Sequence, residues 1–89
     1  MQHTLRPVNV ISVCNTEGEI RPLRFQMEDE EQQLIRANIE EAVMIKEIPY
    51  VGMEAYIYLC RAKLAGQEIQ FELKYTIRSH TWCLLRRLR

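Results

Sequence analysis

The sequence contains few of the residues that mark specialised classes of protein. Among its 89 residues are three cysteines, three glycines and three prolines. The cysteines are odd in number and far apart, which argues against the disulfide framework of a small secreted domain and favours reduced thiols. No apolar run approaches the roughly 18 residues of a membrane-spanning helix, and the first residues lack the pattern of a signal peptide. The composition therefore predicts a cytoplasmic protein that does not act at a membrane.

Net charge is also absent, because 12 basic and 12 acidic side chains cancel. This argues against a protein held on nucleic acid mainly by bulk charge. The zero hides an asymmetry: residues 1–49 carry five basic and nine acidic side chains (−4), and residues 50–89 carry seven and three (+4). An anionic partner therefore stays open as a hypothesis. A chain of this length suffices for one domain with a small core.

Motifs for catalysis are missing as well. The sequence has no phosphate-binding glycine loop, no G-x-S-x-G and no H-E-x-x-H. His80 and Cys83 have an H-x-x-C spacing, and Cys60, Cys14 and His3 would have to complete a zinc site. Structural zinc normally needs two close ligand pairs, and the sequence offers only one. Residues three apart on a strand also face opposite sides. Cys14 is the most accessible thiol, yet no residue marks a base beside it. We predict no enzyme, no catalytic residues, no metal site and no cofactor.

The clearest pattern that is present is a strict alternation near the C-terminus. Apolar residues occupy every second position from Ile69 to Ile77, with polar residues between them, as in a half-buried antiparallel strand. Gly66 tolerates the positive φ that a tight hairpin turn requires. This turn would connect the strand to the preceding segment, which is rich in Tyr and Leu. Residues 68–77 and 81–88 are therefore predicted to be adjacent antiparallel strands. The side chains predicted to be buried there are Phe71, Leu73, Tyr75 and Trp82.

The N-terminal half alternates less regularly. In PVNVISVC the apolar side changes after Val10, which predicts a β-bulge near Ile11. Gly18 marks a turn, and Pro22 must lie at a sheet edge or near a strand start because it cannot donate a ladder hydrogen bond. The acidic run at 28–31 is predicted to be a solvated hairpin tip, since a cation-binding loop would need a glycine turn among its ligands.

The segment QLIRANIEEAVMIKEI is consistent with two structures. Asn38 and Glu41 have the spacing of a helix capping box, and Glu, Ala and Met are good helix formers. Against a helix, apolar residues alternate from Ile35 to Ile39, as they would in a strand broken by a bulge at 40–42. The pattern of residues alone does not decide between them.

A resemblance bears on this question. It rests on the order of three motifs, namely G-x-I-x-P-L-x-F beginning at Gly18, F-E-L-K-Y beginning at Phe71, and W-x-L at Trp82–Leu84. These motifs resemble a group of small uncharacterised bacterial proteins found in Firmicutes. More distantly, they are similar to a small β-rich module of unknown function found near DNA-repair polymerases. The resemblance implies an all-β meander in which the ambiguous segment is mainly a strand, and it carries no catalytic residues.

The predicted fold is therefore a single all-β domain over residues 1–89. It is an antiparallel meander of about six strands that forms a strongly curled sheet or an SH3-like barrel. The alternative is an α+β domain with a helix at about 38–48.

Two hypotheses for function follow from the Tyr-rich strand, which is apolar on both faces and so is either buried on both sides or partly reserved for a partner. The first is a small interaction module that binds a protein, either another protein or a second copy. The second is a β module that binds single-stranded nucleic acid through aromatic stacking and basic side chains. Solvated charge at the end of a strand explains the arginines more simply, so protein binding is favoured. The candidate surface comprises Tyr56, Tyr58, Arg61, Lys63, Arg78, Arg86 and Arg87.

Overall fold

A computed structural model describes residues 5–89 of the chain. This part forms six antiparallel strands and no helix, so none of it is a helix that could span a membrane. The strands are β1 (Arg6–Cys14), β2 (Ile20–Glu28), β3 (Leu34–Ile48), β4 (Ala55–Leu64), β5 (Gln67–Thr76) and β6 (Thr81–Arg87). Each pairs with the next, and β1 also pairs with β6, so the meander closes into a small barrel. The predicted all-β fold of about six strands is confirmed.

The alternative of a helix at about 38–48 is wrong. Those residues belong to β3, a strand of 15 residues. Its register against β4 skips Glu40 and Ile45, so the predicted bulge lies at Glu40 and a second follows five residues later. Asn38 pairs with Arg24 of β2 and caps no helix. Helix propensity is a weak preference, and the strand satisfies its backbone groups along β4 while placing alternate apolar residues against the core.

Two further bulges lie in other strands. The register of β2 against β1 skips Leu23, and that of β6 against β5 skips Leu85. The break predicted near Ile11 is therefore present, although the extra residue lies on the partner strand. Pro22 is fully buried beside this bulge, in a part of β2 that pairs with β1 and not with β3. Bulges increase the local twist, which helps a short sheet to close.

The barrel consists of two curved sheets that share β1 and β3. The small sheet contains β2 with residues 9–14 of β1 and 34–38 of β3. The large sheet contains β4, β5 and β6 with residues 6–8 of β1 and 39–48 of β3. Because β3 leaves β2 after Asn38, its second half pairs with β4 alone. Within residues 5–89, no strand pairs with the other edge of that half.

The core lies between the two sheets. Phe25 of the small sheet contacts Phe71 of the large sheet, with ring centroids 5.0 Å apart. Tyr75 pairs with Trp82 across β5 and β6. The four side chains predicted to be buried are each at most 8% exposed, so both the pairing and the burial predicted for this region are confirmed.

The turns follow the sequence signals. Ala65 and Gly66, with φ of 53° and 80°, form the two-residue connection between β4 and β5, and positive φ at both positions is typical of a type I′ turn. At the acidic tip, the Asp29 carboxylate accepts hydrogen bonds from the backbone N–H groups of Glu31 and Gln33, each at 2.8 Å. The predicted hairpin tip is confirmed.

Candidate functional site

Two of the seven predicted surface residues lie inside the barrel. Tyr58 is 4% exposed, and its hydroxyl donates a 2.5 Å hydrogen bond to the carbonyl oxygen of Ile20. Tyr56 packs against the core, edge-on to Tyr58 and stacked on Tyr75, with ring centroids 6.4 Å apart in each case. Neither ring is presented on the same face as the basic residues of β4. These tyrosines form the lining of a closed barrel.

The buried hydroxyl and thiols are held in their neutral forms. Burial raises the pKa of Tyr58 to about 12, and the neighbouring Tyr56 and Tyr75 contribute to this shift. Burial alone raises the pKa of the Cys60 thiol to about 12. It also raises the pKa of Cys83, an effect that Lys74 opposes. A protonated thiol is a poor nucleophile and a poor metal ligand.

The possible zinc ligands among the described residues are not assembled into a site. The Nδ1 atom of His80 lies 2.9 Å from the Tyr75 hydroxyl, and Cys14 is exposed at the end of β1. His3 lies outside the described residues. Within residues 5–89, no group of three His, Cys, Asp or Glu side chains is arranged to hold a metal ion.

Arg61, on the outer face of the large sheet, is surrounded by carboxylates. Its guanidinium lies 2.9 Å from Glu41, 3.2 Å from Glu40 and 3.9 Å from Glu68. The Glu40 bulge brings two consecutive carboxylates of β3 to the same arginine. These carboxylates therefore already balance much of the positive charge with which Arg61 could attract a phosphate.

Arg86 is likewise held by a carboxylate of the neighbouring strand. Its Nε lies 3.1 Å from Glu72 and its Nη2 lies 3.4 Å from the same group. Glu72 is only 8% exposed. A buried carboxylate is costly unless it is paired, so Arg86 has a structural partner that favours its present position.

The remaining predicted basic residues are exposed but separated. Lys63 and Arg87 lie towards the barrel end that carries the β4–β5 turn, whereas Arg78 lies in the β5–β6 turn at the opposite end. Arg87 donates from Nε to the carbonyl oxygen of Arg89. The seven predicted residues therefore do not form one continuous surface.

A concentration of exposed apolar side chains lies outside the candidate surface predicted from the sequence. Twelve large hydrophobic residues are exposed in the described part of the chain, and half of them lie within residues 43–53. Val51, Tyr50 and Met53 are 92%, 67% and 61% exposed. We call this group the apolar edge, because it follows the unpaired edge of β3 and the loop after it. The group consists of Val43, Met44, Ile45, Tyr50, Val51 and Met53.

The apolar edge continues onto the outer face of β4. Val43 pairs with Leu59, which is half-buried, and Ile57 lies next along the same face. The signal in the sequence is the run AVMI between acidic and basic residues. This run bears on the choice between helix and strand, but it does not reveal which strand edges remain uncovered.

A cleft of about 400 Å³ opens at the barrel end near the acidic tip. Its floor includes Phe25 and Phe71, and its rim carries Arg6 and Arg87 beside the tip carboxylates. The two rings are only 5% and 2% exposed, and the partly buried side chains of Met27, Ile35 and Leu84 also line the cleft. Charges of both signs at the rim favour no single ligand class.

Comparisons with known proteins identify no relative: no family model matches the chain, and no curated protein or solved structure shows significant similarity to it. The resemblance to Firmicutes proteins and to the module near DNA-repair polymerases stays a prediction.

Proposed function

We propose that the protein is a small non-enzymatic interaction module, an SH3-like barrel in the cytoplasm that binds a protein partner along its apolar edge. The observation that carries the proposal is the concentration of exposed apolar residues on and after the uncovered edge of β3. Exposed apolar side chains concentrated in one region, rather than scattered singly, are typical of binding sites. The uncovered edge also offers backbone N–H and C=O groups with which an added strand can pair.

The partner that fits this edge is an extended segment of another protein, with apolar side chains and a basic flank. Residues 40–47 carry Glu40, Glu41 and Glu47 against the single cation Lys46. Two copies paired through this edge would therefore bring two net-acidic strands together, which is unfavourable. A basic segment would instead complement the charge. A second copy remains an alternative outcome that the experiment distinguishes.

The pKa values of two cysteines argue against thiol catalysis at those positions. Burial raises the pKa of Cys60 to about 12 and raises that of Cys83, so neither is an activated thiolate. Cys14 is exposed at the end of β1.

The proposal is tested by site-specific photo-crosslinking in cells. A crosslinking residue replaces Ile45 on the apolar edge, and the matched control replaces Leu34 on the same strand, where exposure is similar (49% and 52%). We expect one discrete protein adduct from position 45 and none from position 34. A synthetic peptide of the crosslinked segment should then slow amide exchange in residues 40–48, because added-strand hydrogen bonds protect those amides.

Substitution supplies the converse test. Val43→Lys with Ile45→Lys should abolish peptide binding and change the free energy of unfolding by no more than about 0.5 kcal/mol, as expected for exposed positions. Equal adducts from both crosslinking positions, an adduct containing only a second copy, or peptide binding that survives the substitutions would contradict the proposal.

A further inference from the structure

The outer face of the small sheet carries three arginines from two adjacent strands. Arg21 and Arg24 belong to β2 and Arg36 to β3. Arg24 pairs with Asn38 and Gln26 pairs with Arg36. Arg24 and Arg36 are therefore diagonal neighbours, with Cα atoms about 7–8 Å apart. All three side chains are exposed, and we call them the arginine face.

These arginines differ from Arg61 and Arg86, on the outer face of the large sheet, because within residues 5–89 they have no carboxylate partners. Arg61 and Arg86 lie within ion-pair distance of glutamates. Within residues 5–89, none of the three arginines of the small sheet forms an ion pair or a side-chain hydrogen bond. Their guanidinium groups are fully available to an external anion.

Side-chain amides lie beside Arg24 and Arg36 in two rows across the sheet. One row consists of Asn9, Gln26 and Arg36, and the other consists of Ile11, Arg24 and Asn38. With neighbouring strands about 4.8 Å apart, each row spans about 10 Å. Each row thus combines one guanidinium with at least one side-chain amide, on a face where Glu28 is the charged neighbour of opposite sign.

We infer that the arginine face binds single-stranded nucleic acid through its phosphate backbone. A guanidinium donates two parallel hydrogen bonds to a phosphate, which makes arginine better suited than lysine to this contact. Asn and Gln side chains contact phosphates, sugars and base edges. The two rows hold no aromatic side chain, so base stacking contributes little. Binding is therefore governed by phosphate contacts, depends steeply on salt and has little sequence preference.

This inference goes beyond protein binding and rests on different residues. The nucleic-acid hypothesis then rests on the arginine face and no longer on the C-terminal arginines and the tyrosines of β4. The apolar edge lies on the second half of β3, whereas the arginine face uses β2 and the first half of β3. Substitutions on one surface therefore leave the other unchanged, and each proposal can fail separately.

The test measures fluorescence anisotropy with a labelled oligothymidylate of about 16 nucleotides, a length that covers a typical small β-module site. Three phosphate contacts predict that the logarithm of the association constant falls with the logarithm of salt concentration with a slope of about −2. Arg24→Gln with Arg36→Gln should reduce affinity at least tenfold at low salt and reduce the slope to about −0.7.

The matched control is Arg78→Gln with Arg87→Gln, which removes the same charge from exposed positions elsewhere. It should retain most of the affinity and the slope, and both variants should melt at the wild-type temperature. Equal loss in the two variants would overturn the inference, because it would show attraction by bulk charge. No binding at low salt, or binding of polyglutamate as tight as that of the oligonucleotide, would also overturn it.

Discussion

Within residues 5–89, the arginines on the outer face of the large sheet have carboxylate partners, whereas those on the outer face of the small sheet do not. On the large sheet, Arg61 and Arg86 lie against glutamates of neighbouring strands. On the small sheet, Arg24 and Arg36 lie beside amides and have no ion-pair partner among residues 5–89. The small-sheet arginines come from the half of the sequence with net charge −4, and the large-sheet arginines from the half with +4. The availability of an arginine is therefore set by its cross-strand neighbours, not by the charge of its segment.

The largest expected effect comes from the residue that joins the two sheets. Phe71 is 2% exposed and contacts Phe25 of the small sheet. Phe71→Ala should cost about 3–5 kcal/mol because it removes buried contacts and leaves a cavity, and a small domain barely tolerates such a loss. Urea unfolding of the variant measures the cost. A loss below 1 kcal/mol would show that the two sheets do not depend on this contact.

We expect alkaline pH to destabilise the protein through two buried groups of the core, Tyr58 and Cys60. The pKa values of Tyr58 and Cys60 are raised from 10.0 and 9.0 to about 12. The unfolded chain therefore loses these protons first, and the stability that they provide is complete below pH 9 and declines as the pH approaches 12. The melting temperature should fall across this window. Cys60→Ala should flatten the fall, whereas Cys14→Ala, at an exposed thiol, should not.

The two ion pairs of the large sheet should differ in their contribution to stability. Glu72 is 8% exposed and lies against Arg86, whereas the Glu41 side chain is 57% exposed beside Arg61. Glu72→Gln should cost about 1 kcal/mol because it changes a charge-assisted, partly buried hydrogen bond from Arg86 to a buried carboxylate. Glu41→Gln should cost less than about 0.5 kcal/mol, since solvent screens exposed pairs. Urea titrations that give equal costs would contradict this ranking.

The smallest expected effect comes from removing carboxylates beside Arg61, so that this arginine of the large sheet becomes more available to an anion, as the arginines of the small sheet are. Glu40→Gln with Glu41→Gln leaves Arg61 without its two nearest carboxylates. One additional phosphate contact should then steepen the salt slope of oligothymidylate binding by about 0.7. The same substitutions in a variant that also carries Arg61→Gln should leave the slope unchanged. A steeper slope in both would assign the effect to net charge.

The alternating segments were predicted well because one face of each is buried. In β5, the period of two is regular enough to define the strand, its turn and its buried residues. The segment that became β3 was ambiguous because its two bulges interrupt the period. Helix propensity then competed with a pattern that only the tertiary contacts complete.

The surface was predicted less well, for a reason that lies in the strand register. Arg61 meets Glu41 because Glu40 bulges out between two paired residues of β3. A single inserted residue changes which side chains face each other, and the sequence specifies the bulge only approximately. The burial of Tyr58 also depends on barrel closure, which turns one face of an apparently two-sided strand inward.

Barrel closure also has a consequence for synthesis. It pairs Val8 with Trp82 and Pro7 with Cys83, near opposite ends of the described chain. At roughly 5–20 residues per second, a ribosome takes on the order of 4–15 s to add the residues between these two strands. During that time β1 cannot find β6, and contacts so distant in sequence form slowly even afterwards. The nascent chain therefore exposes its future core for seconds, a period in which a chaperone that shields apolar surface can act on it.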